Sequence, residues 1–524
     1  MNPVHPTLPV ESLLALLLVA SATAVIVKWV RVPYPVALVV AGLIIGISNV
    51  LPPVIMTPEL VLVIFLPALL FEASWNLDIK ALKRDWLPIT MLATVGVLVC
   101  MFSVAALLHL AGGMNIQNAL LFGAMVSATD PVSVVALFRQ MGMDARLTMI
   151  IEGESLFNDG TAVVLFQMVL TALVSGAQPS IPVAVGSFAM VMVGGALLGA
   201  SLGYAASRIT SAFDDHLLEI TLTMVTAYGG FLIAEHLKVS PVITVVVAGI
   251  VVGNYGSRTG MSATTRLAVN SFWEYAAFLV NSILFLLIGL QVQVPLLLKH
   301  AQLIGFGVLA VMISRMLVVY GICPFVSTER LPIPDKWRHL LFWGGLRGAL
   351  VMALALSLPL NFPDREAVVN LTFGVVLFTL LVPGLTIEPL VRLLGMAPKQ
   401  DALIKYQRLK ALLFAYKSES QKLTEMLASG HISNHIHDNL GVSVQKSLNE
   451  VQKQLEELEM TDLSIDQIHL KHASLELIEH RKDCLLQLVK RGLLTQEVFH
   501  ELELDMDSEL DLLTSTIASS QTPN

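Results

Sequence analysis

The feature that most constrains this chain is the recurrence of apolar runs about 20 residues long, each ended by Pro, Gly or a cluster of charge. Such runs lie near 11–30, 34–51, 58–75, 87–111, 117–139, 146–174, 181–208, 216–236, 240–254, 267–291, 301–326, 337–359 and 366–391. A run of that length crosses a bilayer as a helix, because only a helix satisfies every backbone polar group within its own segment. Composition agrees: 55% of residues are hydrophobic and 14% charged, with a mean hydropathy of +0.73, too apolar for a soluble domain built around one core. The sequence therefore predicts an all-α, polytopic membrane protein of about thirteen transmembrane helices.

No basic n-region with a small-residue cleavage site precedes the first run, which is expected to be a retained span. Cys100 and Cys323 fall in apolar runs and Cys484 in a polar tail, so no pair is placed for a framework disulfide. Alternate loops carry Arg31; Lys80, Lys83 and Arg84; Arg139 and Arg146; Arg208; Arg258 and Arg266; Arg330, Lys336 and Arg338; and Arg392 with Lys399. The opposite loops hold only Lys238, Lys299 and Arg365. Positive charge stays on the cytoplasmic side, which predicts an N-terminus outside and a C-terminus inside.

Near Met396 the composition changes. "KYQRLKALLFAYKSESQKLTEML" and "QKSLNEVQKQLEELEM" space apolar residues by three and four with charges between. The expected organisation is a transmembrane domain over 1–395 and a cytoplasmic helical regulatory domain over 396–524. This tail holds 13 Lys and Arg against 20 Asp and Glu, most of the chain's net charge of −8, which argues against nucleic acid or lipid head groups as its partner. His431, His435 and His437 cluster after the breaker Gly430. They are candidate pH sensors or simply part of a solvated loop; a metal site there lacks a convincing further ligand set.

Ionisable residues at membrane depth are costly and mark functional sites by default. "FLPALLFEASWNLD" places Glu72 near a span end, as gate or surface charge, and "FWEYAAFLVNSILFLLIGL" places Glu274 near an edge. In "AMVSATDPVSVVALF" Asp130 precedes Pro131, whose ring removes a backbone donor, so the helix is expected to open at Thr129 and Asp130. Freed carbonyls are tolerated at that depth only inside protein or along a cavity. Asp130 could instead be a helix cap. "WGGLRGALVMALAL" sets Gly344, Gly345 and Gly348 around Arg347, a second place for a break. The two interruptions fall seven spans apart, an odd offset that gives the opposed orientation of an inverted repeat.

"GESLFNDG" carries the densest polarity. A spacing of four puts Glu154 and Asn158 on one helical face, and Ser155 and Asp159 on the adjoining one. With Asp130 and freed backbone oxygens, Asp159 would form a hard oxygen site for a small cation or a proton. Glu154 and Arg347 each need a partner and are read as a structural ion pair. Arg315, in mid-span, is placed too deep to snorkel easily.

Together "FLPALLFEASWNLD", "SATDPVSVVALF", "EGESLFNDGTAVVLF", "FWEYAAFLVNSILFLLIGL" and "GGLRGALVMALAL", in this order across about residues 10–395, resemble bacterial sodium/proton antiporters of the monovalent cation/proton antiporter-1 family. Animal sodium/hydrogen exchangers are related to them. Ala68 stands where relatives often have a second proline, and the tail carries no recognised motif of the family. The resemblance implies two crossed discontinuous helices and a homodimer, with a fixed dimerisation bundle and a core bundle that moves the ion like an elevator. It implies that Asp159 is the carboxylate shared by cation and proton, and that Asp130, Thr129, Ser155 and Asn158 complete the site. Glu72 would coordinate through water, Glu154 would pair with Arg347, and Arg315 would be the basic residue opposite the site.

The expected function is secondary active exchange of Na⁺, with K⁺ or Li⁺ as alternatives, for H⁺ across the cell (inner) membrane. It needs no cofactor beyond the transported ions, and no nucleic acid. One carboxylate in "FND" suggests one proton per cation. Two other classes compete. An intramembrane aspartyl protease using Asp130 and Asp159 would leave Arg347 and the second break unexplained, and a membrane sensor would bind ions only to signal through the tail.

Overall fold

The computed structural model describes residues 10–29, 32–48, 57–176, 180–211, 215–257, 260–328, 331–396 and 400–461, with isolated positions beyond 461. Among these the regular structure is entirely helical. Arg31, Arg258, Arg330 and Lys399, used in the loop-charge argument, and most of the tail after 461 lie outside the described residues. The chain separates into two compact units, Met1–Ala397 and Pro398–Asn524.

Each apolar run of the first unit is occupied by helix. Among the described residues seven helices are long and apolar enough to cross a membrane: Trp86–Leu110, Ala145–Ser175, Ile181–Thr210, His216–His236, Thr264–Leu290, Ala301–Val326 and Arg365–Leu393. The runs that fall short are Leu14–Val27, Tyr34–Ser48, Leu60–Trp75 and Pro241–Gly256, and two that are broken. One break divides Ile116–Val126 from Val132–Met141, and the other divides Asp335–Trp343 from Ala349–Leu356.

The ends of these elements follow from local chemistry. Asn115 and Asp144 cap the helices that begin at Ile116 and Ala145, accepting from the amides of Gln117 at 3.0 Å and Arg146 at 2.8 Å. Gly142, at φ 65°, takes the left-handed turn that ends Val132–Met141. Close backbone approach holds the bundle together, as expected where small residues line helix contacts. A Cβ on Gly289 would lie 2.1 Å from the carbonyl oxygen of Val39, so Thr264–Leu290 and Tyr34–Ser48 press together at that point.

Among the described residues four π-helical turns, Leu60–Phe65, Leu92–Gly96, Val225–Gly229 and Val252–Gly256, interrupt otherwise regular helices. One consequence is visible where two of them meet: the Tyr228 hydroxyl donates to the Ile64 carbonyl at 3.0 Å.

In the second unit Gln400–Ala428 and Asn434–Thr461 form a helical hairpin that turns at Gly430, φ 73°. The apolar spacing seen in the sequence buries Leu409, Val444, Leu448 and Val451.

Candidate functional site

The first break exists because Pro131 has no amide proton to offer the preceding turn. Residues 127–131 leave helical geometry, and Asp130 replaces the lost bonds in two ways. Its Oδ1 accepts from the Val132 amide at 3.1 Å, at the start of the second half-helix, and its own amide donates to the Leu346 carbonyl at 2.9 Å. Leu346 belongs to the second break, so the two unwound segments are hydrogen-bonded to each other. They also touch sterically, since a Cβ on Gly348 would lie 2.1 Å from Asp130 Oδ2. One Asp130 oxygen thus bonds the first amide of the second half-helix from the position before the N-cap Pro131, and the other faces the second break.

The Ala145–Ser175 helix runs intact beside the first break and holds Thr129 at every polar atom. The Thr129 amide donates to Asn158 Oδ1 at 3.3 Å, and Asn158 Nδ2 donates to Thr129 Oγ1 at 2.6 Å. Ser155 Oγ donates to the Thr129 carbonyl at 2.6 Å. Asn158, Ser155 and Thr129 are buried, while Asp159 and Asp130 are half-buried. Asp159 makes no hydrogen bond and no ion pair among the described residues; the charged groups acting on it are Asp130 and Arg347. The spacing of four did place these groups on two adjoining strips, one that braces the break and one that carries the free carboxylate.

The expected Glu154–Arg347 ion pair is corrected. Arg315 takes Glu154 with both terminal nitrogens, Nη1 to Oε1 and Nη2 to Oε2, the second at 3.0 Å. Arg315 also donates from Nε and Nη2 to the Leu341 carbonyl, at 3.3 Å and 2.9 Å. It thus ties three elements together: its own helix, the Glu154 helix and the half-helix Asp335–Trp343. Arg347, 1% exposed, donates from Nη1 to the Ala128 carbonyl at 3.1 Å, closing an acceptor freed by the first break. Its backbone amide donates to Thr379 Oγ1 at 3.2 Å. Sequence reasoning assigns Glu154 to Arg347, and it fails because the packing of the helices brings Arg315 to Glu154 instead. Thr379 and Leu346 were missed, because a threonine and a carbonyl in apolar runs give no local signal.

Glu72 is half-buried and stands apart from this constellation. Its Oε1 accepts from Asn76 Nδ2 at 2.9 Å, and its charged neighbours are Arg139, Glu152 and Glu274. The three tail histidines each engage a local partner. His431 Nδ1 lies 2.8 Å from Ser429 Oγ, His435 Nε2 lies 3.3 Å from Asn439 Nδ2, and His437 Nδ1 lies 3.3 Å from Asp438 Oδ1. Among the described residues no group of three or more His, Cys, Asp and Glu is placed to hold a metal ion. What the bundle offers instead is two carboxylates beside unwound backbone, a hard oxygen environment without strong multivalent ligation.

This architecture and site define the class: a multi-pass, all-helical membrane transporter. The profile of the family "Sodium/hydrogen exchanger, transmembrane" matches residues 14–393. The chain is 41% identical over 410 residues to the low-affinity Na⁺/H⁺ antiporter NhaS1 of Synechocystis, covering 76% of this chain and 77% of that protein. It is 37% identical over 486 residues to the Na⁺/H⁺ antiporter NhaG of Bacillus atrophaeus, covering 88% and 91%. The fold is shared with the sodium proton antiporter MjNhaP1 of Methanocaldococcus jannaschii at a TM-score of 0.61 and 19% identity, over 74% of this chain and 98% of that one. The chain belongs to the sodium/hydrogen exchanger family.

Proposed function

We propose that this protein exchanges Na⁺ for H⁺ across the cell membrane, one for one and without net charge movement, with Asp159 as the shared carboxylate. The observation that carries the reading is the contrast at the site. Thr129, Ser155 and Asn158 are held by one another, whereas the neighbouring Asp159 carboxylate is unbonded beside Asp130. A carboxylate in that setting must be neutralised by a proton or a cation before it can cross a low-dielectric region. Competition follows directly: proton arrival on an Asp159 oxygen removes the charge that holds the cation, and the cation leaves.

In this reading the two breaks are crossed discontinuous helices of an inverted repeat, and a core bundle carries the site past a fixed bundle within a homodimer. Thirteen crossings put the two termini on opposite sides, and the Lys and Arg of alternate loops set the N-terminus outside and the tail in the cytoplasm, where it regulates exchange. Asp130 Oδ2 supplies a second ligand oxygen; Thr129, Ser155 and Asn158 shape the site; Glu72 lies along the ion's approach. Na⁺ is the principal cation, with K⁺ the alternative substrate of the same mechanism.

The test is proton flux in proteoliposomes driven by Na⁺, K⁺ or Li⁺ gradients side by side. Na⁺-dependent flux of equal rate with and without a membrane potential is expected. Flux with K⁺ alone would replace the ion, and potential-driven flux would replace the stoichiometry.

A further inference from the structure

Beside the Arg315–Glu154 pair lies a small, partly open cavity with about 10 Å³ in which a water can sit. Its polar lining consists of Cys100, Ser127, Glu154, Asn158, Arg315 and Arg347, and apolar side chains close the rest. Arg347 Nε is buried and meets no acceptor among the described residues. A guanidinium N–H shut away from water without an acceptor is costly, and such groups are normally satisfied by protein or by an ordered water.

We propose that this cavity is an internal water site, in which one water accepts from Arg347 Nε and donates to a Glu154 oxygen. The volume matches a single water. Arg315 occupies one lone-pair position on each Glu154 oxygen, and a carboxylate offers about four, so an acceptor remains. Two guanidinium groups against one carboxylate disfavour a second cation, and the room admits no larger anion. Glu154 and Arg347 are then joined after all, through water rather than directly, so Arg347 is held between the Ala128 carbonyl and the Arg315–Glu154 pair. This assignment does not depend on which ion the chain carries.

The chain contains its own probes. Cys100 lines the cavity and is 5% exposed, Cys323 is fully buried and does not line it, and Cys484 is exposed. Millisecond X-ray radiolysis of the purified protein in ¹⁸O-labelled water, read by mass spectrometry, oxidises thiols beside bound or bulk water. Incorporation of ¹⁸O at Cys100 is expected to run several-fold faster than at Cys323, with Cys484 fastest. Equal, background rates at Cys100 and Cys323 would show a dry cavity and overturn the proposal. Arg347→Met removes every donor at similar side-chain length, and in a protein that elutes as the wild type it should bring Cys100 down to the rate of Cys323. Unchanged Cys100 labelling in that variant would remove Arg347 Nε from the site. A map resolving waters gives a second readout, with density within hydrogen-bond distance of Arg347 Nε expected and its absence at that resolution contrary.

Discussion

Arg315 and Glu154 clasp each other through two parallel hydrogen bonds, from the Ala301–Val326 helix to the Ala145–Ser175 helix. Bidentate geometry makes this pair directional as well as charged, and the extra bonds to the Leu341 carbonyl leave the guanidinium nearly saturated. Removing one partner of such a buried pair leaves the other uncompensated, at a cost of ~3–5 kcal/mol. Glu154→Gln and Arg315→Met should therefore each lower the thermal midpoint strongly, and the double variant should lose less than the two losses combined. The same cycle run with Arg347→Gln should show weaker coupling to Glu154. Coupling stronger with Arg347 than with Arg315 would contradict the observed pairing.

Gly348 gives a steric test. Its missing side chain is what lets the second break approach Asp130, and an added Cβ would lie 2.1 Å from Asp130 Oδ2. The carboxylate would have to swing away, so Gly348→Ala is expected to raise the Na⁺ concentration for half-maximal exchange at least ~10-fold, the effect of ~1.4 kcal/mol. Unchanged apparent affinity in the folded variant would mean that Asp130 does not help to form the site.

Asn158 should act through Thr129. Asn158→Ala removes both side-chain bonds that brace the first break, each worth about 1 kcal/mol net, and leaves Thr129 partly unsatisfied. Weaker Na⁺ dependence accompanied by lower thermal stability is expected. Ser155→Ala removes the single bond to the Thr129 carbonyl and should show the same pattern to a smaller degree. Lost affinity at full stability in Asn158→Ala would mark Asn158 as a direct ligand.

These cases also show what could be read before any coordinates. The breaks were legible because proline chemistry and clustered glycine act locally: Pro131 and the Gly344–Arg347–Gly348 stretch announce themselves within a few residues. The two strips of the "GESLFNDG" helix were legible because helical spacing alone fixes which residues share a face. The partner of Glu154 was not, since choosing Arg315 over Arg347 depends on how distant helices pack. The π-helical turns left no mark either; "LVLVIF" and "VTAYG" read as ordinary helix, and their extra residue is accommodated by tertiary contacts such as Tyr228 on Ile64. Glu72 was grouped with the ion site by resemblance, while its neighbours in the structure are Arg139, Glu152 and Glu274.

The helical hairpin Gln400–Thr461 should regulate rather than transport. A chain ending near residue 400 is expected to keep cation/proton exchange in proteoliposomes with a displaced pH profile. Loss of all exchange in a stable truncated protein would assign the tail a direct part. Because His431, His435 and His437 each engage a different local partner, replacing all three with Gln is the sharper arm. An unchanged pH profile there would reduce them to a solvated loop.

The central claim is that Asp159 is the carboxylate that takes cation and proton in turn, with Asp130 as a second ligand to the cation. It is tested most directly by Na⁺-dependent proton flux through purified Asp159→Asn in proteoliposomes, beside the wild type at equal protein density. The substitution removes the charge and almost no volume, and Asp159 has no hydrogen bond among the described residues for the fold to lose, so the variant should purify with wild-type elution and thermal stability. The expected result is no flux above protein-free liposomes at any pH, and retained Na⁺-dependent flux in that folded variant would contradict the account.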